Sequence, residues 1–173
     1  MDARLTFKSK RIVHPTHLFS IAIPTHWEWQ HELEGENTSF TGIDVVSPKY
    51  PGEFINMVSV KLIPSMSQER TLRSEFKSLI NQAKQVNTGF VFTESGKINF
   101  LKKTAYSAHI QAKNKTKNSS EIISFLMKSE EEDKFYHLTA SVSNSGDKLE
   151  QMGLLLSILS SIQFPKNSKV LAR

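Results

Sequence analysis

Histidine is the side chain here best suited to proton chemistry near neutral pH. His14 and His17 flank Pro15-Thr16, and His26 and His31 bracket a tryptophan stretch. A zinc site needs three or four ligands converging at about 2 Å. His26 and His31 are five positions apart, on opposite faces of a regular strand. There is no His-Glu-x-x-His pattern to place two imidazoles on one helix face. The chain has no cysteine, which removes thiol nucleophiles, disulfides and thiolate metal sites. Serines, histidines and Asp44 supply the residue types of a hydrolytic triad. The Gly-x-Ser-x-Gly elbow that would expose such a serine is missing. Glu130-Glu131-Glu132-Asp133 is crowded into a turn and reads as a solvated cap, not an acid–base pair in a cleft. Gly96 and Gly146 are lone turn glycines, not a phosphate cradle. The sequence therefore predicts no enzyme: no catalytic residue, no cofactor and no metal ligand.

Binding chemistry is better represented. Trp29 sits in the tryptophan stretch and Tyr50 in the Pro/Gly loop between Ser47 and Glu53. Aromatic residues at exposed positions are enriched in interfaces, so Trp29 and Tyr50 are the candidate partner-binding residues. The expected partner is another protein. The net charge is +5, but Lys113, Lys115 and Lys117 lie in one short loop and Lys166 and Lys169 in a tail. A nucleic-acid binder concentrates such charge on one element with aromatics between, so no nucleic-acid partner is expected. No apolar run reaches the roughly 20 residues that span a bilayer. Met1-Asp2-Ala3-Arg4 leads into polar residues, not the apolar core of a signal peptide. The expectation is either a cytoplasmic protein or a mature chain whose export signal was trimmed.

At 173 residues with 38% hydrophobic content, the chain is large enough to bury one core. Three segments are expected: a lead-in or edge segment over 1–17, one domain over 18–164 and a tail over 165–173. Within the domain, Leu18 to Pro24 alternates as a strand, and Trp27 to Leu33 reads as a second with Trp27, Trp29, His31 and Leu33 on one face. Ser39 to Val46 and Phe54 to Ile63 follow, the latter with Val58, Val60 and Leu62 toward the core. Ser67 is expected to cap a helix over about 68–85, whose apolar positions are Leu72, Phe76, Leu79, Ile80 and Ala83. Phe90 to Glu94 is a short strand, Ser95-Gly96 a turn, and 98–101 and 103–113 further strand material with a bend at Lys102-Lys103. Glu121 to Lys128 and Phe135 to Ser143 complete the strands. In the last, Tyr136, Leu138, Ala140 and Val142 share one face. A second helix over about 147–162, capped by Ser145 or Asp147, places Leu149, Met152, Leu155, Leu156, Leu159 and Ile162 on its apolar stripe. Strands, helix, meander and helix in that order predict α+β architecture with an antiparallel sheet.

Phe19-Ser20-Ile21-Ala22-Ile23-Pro24-Thr25-His26-Trp27 resembles the opening strand of PsbP-like domains. The mid-chain helix, the strand meander after Gly96, Tyr136-x-Leu-Thr-Ala and the terminal Ser161-Ile162-Gln163-Phe164 are similar to the same family, the Mog/PsbP/DcrB superfamily. The resemblance implies an αβα sandwich with a central antiparallel sheet. It also implies protein binding without catalysis, since the superfamily includes an extrinsic photosystem subunit, a Ran-release factor, an envelope lipoprotein and secretion chaperones. On that resemblance the expected function is a non-catalytic accessory domain of the bacterial cell envelope, lipid-anchored through a removed N-terminus. The alternative is a cytoplasmic adaptor or secretion chaperone masking an apolar client helix.

Overall fold

Strand β9 (Lys134–Val142) has β-branched and aromatic residues on both faces and lies in the middle of a seven-stranded antiparallel sheet, order β3-β4-β5-β9-β8-β7-β6. The other strands are β3 (Glu28–Glu32), β4 (Thr41–Val46), β5 (Met57–Pro64), β6 (Phe90–Phe100), β7 (Lys103–Ala112) and β8 (Glu121–Lys128). A separate antiparallel hairpin joins β1 (Ser9–Val13) to β2 (Ser20–Pro24). Helices α1 (Leu72–Val86) and α2 (Lys148–Ser160) complete the fold. This computed structural model describes residues 7–16, 18–33, 35, 40–48, 56–114, 119–131, 133–143 and 147–165.

The period-2 alternation of β9 divides the core into two layers. Tyr136, Leu138, Ala140 and Val142 face α2 together with Val58, Val60 and Leu62 of β5. Met152, Leu155, Ile158 and Leu159 of α2 close that layer, and the hairpin adds Ile21 and Ile23. On the opposite face Phe135, Leu126 and Ala108 meet Phe76 and Ile80 of α1. The result is an α+β sandwich with the antiparallel sheet between two helices: the order of the elements predicts the antiparallel α+β architecture, and the family resemblance implies the αβα layering. The hairpin is fastened to the end of α2: Ala22 N–H donates to Ser161 Oγ at 2.9 Å, and Ser20 and Gln163 exchange backbone bonds at 2.9 Å.

Five local expectations are corrected. The helix expected at about 68 starts at Leu72, with Thr71 and not Ser67 as its N-cap, and Ser74 completes a capping box. Residues before it form a turn organised by buried Glu75, which accepts from Met66 N–H at 2.7 Å, Ser67 N–H at 3.0 Å and the Ser65 hydroxyl. Ser95-Gly96 is not a turn but a bulge inside one continuous strand, β6. The reversal comes at Leu101-Lys102, both at positive φ (52° and 60°), the geometry of a two-residue hairpin loop. Leu149 matches the apolar spacing of the second helix, yet it is 85% exposed. At 100° per residue it lies roughly 100° from the centre of the buried set of α2. The second helix ends at Ser160, not at about 162, and Asp147 caps it by accepting from Leu149 and Glu150 N–H.

Close packing of β4 on β5 generates a prediction. A Cβ on Gly42 would stand 2.3 Å from the Val60 carbonyl oxygen, a backbone atom that cannot swing aside. Gly42→Ala should therefore cost about 1–3 kcal/mol in urea unfolding. Lys102→Gly, which relieves a left-handed conformation, should gain about 0.5–1 kcal/mol in the same assay. Equal stabilities for Gly42→Ala and the parent chain would contradict this packing.

Candidate functional site

A row of polar side chains crosses the α1 face of the sheet where apolar ones would be expected. Antiparallel register puts Ser59 opposite both Asp44 and Thr139, and Lys61 opposite His137. Ser124 pairs with Thr139 and Leu126 with His137. Residues opposite one another share a face, so Asp44, Ser59, Lys61, His137, Thr139 and Ser124 all stand on the same side of four adjacent strands. Helix α1 lies over β6, β7 and β8 and does not seal this row: the Lys61 side chain keeps 28% of its exposure.

Within the row Ser59 Oγ donates to Asp44 Oδ1 at 2.6 Å, and Asp44 Oδ2 is 4.0 Å from Lys61 Nζ. The Lys61 ammonium also stands 4.4 Å from the centre of the Phe40 ring. Ser124 Oγ and His137 Nε2 are 2.8 Å apart. Burial, reinforced by the Lys61 charge, pushes the His137 imidazole down to about 4, so it is neutral at physiological pH. The residue types of a triad are present, but Asp44 bonds Ser59 and not the histidine. Ser124 is 3% exposed and cannot reach an external carbonyl.

A second network ties the hairpin to the sheet. His14 is fully buried, with its ring 5.4 Å from that of Phe19. Its Nδ1 accepts from Thr16 N–H at 3.2 Å; Nε2 meets Thr41 Oγ1 at 3.1 Å, which donates on to the Glu32 carbonyl at 2.9 Å. Burial and then the nearby His31 lower its pKa. These partners hold the neutral ring as a strut.

No family model matches the sequence, and no curated protein matches it either. Three-dimensional comparison does find matches. The Ran-binding protein Mog1p of Saccharomyces cerevisiae superposes with a TM-score of 0.58 at 10% identity, covering 92% of this chain and 96% of that one. Cyanobacterial PsbP (CyanoP) of Synechocystis gives 0.58 at 9% identity over 95% and 97%. The chain has the Mog1/PsbP-like fold. LpqN of Mycobacterium tuberculosis, involved in cell envelope biogenesis, matches at 0.50 with 12% identity, over 91% of each chain.

On this Mog1/PsbP-like frame the residues singled out from sequence scatter. Trp27 is buried (5% exposed), but it precedes β3 and does not share with Trp29 the strand face expected of both. Trp29 is 38% exposed on outer strand β3, with the His31 ring 6.1 Å away. Tyr50 and His17 lie outside the described residues. His26 is exposed in the turn after β2. The acidic turn is distributed among ion pairs: Asp133 with Arg70 at 2.7 Å, Glu130 with Lys103 at 2.9 Å and Glu131 with Lys134 at 3.1 Å. Among the described residues no three His, Asp or Glu side chains form a group that could hold a metal ion. No described helix is long and apolar enough to cross a membrane. Sequence reading missed His14 as a buried strut and the whole Lys61–His137 row.

His137 makes stability pH-dependent with a definite sign. Its folded-state pKa is depressed, so the unfolded chain binds the proton more readily between about pH 6.5 and pH 4. Folding loses about 2–3 kcal/mol from this group as the pH falls through that window. His137→Gln should therefore close on, or overtake, the parent chain by about that amount between roughly pH 7.5 and pH 4.5 in urea unfolding. A constant difference across the window would show that folding does not depress the His137 pKa.

Proposed function

We propose that this chain is a non-catalytic, protein-binding accessory domain of the bacterial cell envelope, and that it takes an extended segment of its partner along β3. The observation that carries the reading is the composition of that outer strand. β3 ends one side of the sheet, and Trp29 and His31 project from it, with Leu33 following in the same alternation at 46% exposure. An outer strand offers unpaired backbone groups to an added strand, and aromatic side chains beside it supply anchoring area. Against an enzyme stand the commitments of the histidines: His14 in a buried strut, His109 to Glu121 at 2.5 Å, and His137 to a serine that is itself buried. Mog1p is a Ran-binding protein and LpqN takes part in cell envelope biogenesis, which supports protein binding and an envelope setting for this fold. The cytoplasmic chaperone reading needs a broad apolar groove. The other exposed large apolar side chains described lie on different elements: Val13 on β1, Met66 in the turn before α1, Val86 on α1, Val91 on β6 and Leu149 on α2. Tyr50 is carried with Trp29 as a proposed contact.

A photo-crosslinking amino acid in place of Trp29, expressed in the native cell, tests this reading. A discrete protein adduct in the envelope fraction is expected, and none from the same group placed at Lys77 on the exposed side of α1. Adducts confined to the cytosol favour the chaperone. No adduct at Trp29, or the same adducts at both positions, overturns the assignment of β3 as the binding strand.

A further inference from the structure

Two hydrogen-bond donors in the polar row have no acceptor among the described residues, and they are neighbours. Lys61 Nζ has three N–H bonds to give. Its surroundings are the Phe40 ring at 4.4 Å and Asp44 Oδ2 at 4.0 Å, which is an ion-pair separation and not a hydrogen bond. His137 uses Nε2 on Ser124 and leaves Nδ1 without a partner. The proton positions follow from the hydroxyl. Ser124 is buried and has no other described acceptor for its hydrogen, so it donates to Nε2 and the proton of the neutral ring sits on Nδ1. Lys61 and His137 face one another across β5 and β9, which brings their Cβ atoms to about 5 Å. An ammonium and an N–H donor thus stand side by side on a partly exposed sheet face.

We propose that Lys61 and His137 form a binding site for a carboxylate group, one oxygen on the ammonium and the other on Nδ1–H. Charge selects a carboxylate over a phosphate. With His137 neutral, Lys61 and Asp44 sum to zero, so the Asp44 carboxylate repels a dianion more strongly than a monoanion. A monoanion displaces only the loose 4.0 Å contact and gains a charge-assisted hydrogen bond. Phe40 and Ser124 are positioning residues: the ring holds the ammonium over the sheet, and the hydroxyl fixes the imidazole tautomer. The site does not depend on β3 as the partner-binding strand.

The test is an NMR titration of the histidine imidazoles with sodium acetate at near-neutral pH, with sodium chloride at matched ionic strength as control. A saturable shift confined to His137 is expected. Lys61→Met, which keeps the stem and removes the ammonium, should weaken it about tenfold or more. A cooperative unfolding transition shows that this variant is folded, and the lysine ammonium signals of the parent chain give a second reading without mutation. A blocked Ala-Glu-Ala peptide separates the sources: tighter binding than acetate points to an acidic polypeptide, equal binding to a small carboxylic acid, and either retains the carboxylate chemistry. Three outcomes overturn the proposal: chloride shifts His137 as far as acetate does, Lys61→Met binds like the parent, or inorganic phosphate saturates the site at lower concentration than acetate.

Discussion

The structure is governed by a mismatch between the width of its sheet and the size of its covers. Seven strands spaced about 4.8 Å apart span roughly 29 Å, whereas one helix with its side chains covers only about 10 Å. Each face has a single helix, of 15 residues on one side and 13 on the other. Neither can seal a face. On the α2 side the β1–β2 hairpin supplies additional cover, and there Ile43, Val45, Val58 and Val60 are buried. On the α1 side no second layer is described beyond β8, and there the sheet turns polar. The Asp44–Ser59–Lys61–His137–Ser124 row lies beside the strip that α1 covers.

That polarity has to be satisfied locally, because a buried donor or acceptor without a partner costs more than most contacts return. Among the described residues no fully buried side-chain N or O lacks a hydrogen bond. Ser59 and Asp44 satisfy each other, and Ser124 satisfies one nitrogen of His137. His14 is handled in the same way on the hairpin side by Thr16 and Thr41. Glu75 stays ionised: burial raises its pKa, but the hydrogen bonds from Ser65, Met66 and Ser67 more than reverse that, and its pKa is lowered. Most of the chemistry-bearing side chains thus hold elements together. The open valences are those of Lys61 and His137, at the row's partly exposed part.

Where sequence reading failed in the fold, a tertiary effect had overridden a local preference. Ser95-Gly96 has the composition of a turn, yet pairing with β7 on either side carries β6 through it as a bulge. Leu101-Lys102 lacks the Asn-Gly or Asp-Gly signal of a tight hairpin; Leu101 takes the left-handed conformation while packing on the α2-side core. Ser67 is a sound cap by type, but the Glu75 carboxylate gathers the backbone there and the helix waits for Thr71. Leu149 matches the apolar period, and the rotation of α2 on the sheet leaves it outside.

What the sequence by itself determined is what depends on neighbours along the chain: the period-2 alternation of β9, the apolar spacing of Phe76 and Ile80, a cap at Ser145 or Asp147, and, with the order of the elements, an antiparallel α+β sandwich. These follow from the fixed geometry of strands and helices, which makes face and period readable from order alone. The candidate site is of another kind. Lys61 and His137 are 76 positions apart, and they meet only because β5 pairs with β9 in one register; a shift of one residue would send His137 to the other face. The burial of His14 likewise depends on a hairpin folding back onto the end of β4. Register and layer contact are chosen by the packing of the whole core, so the tertiary structure alone decided which polar residues would stand together.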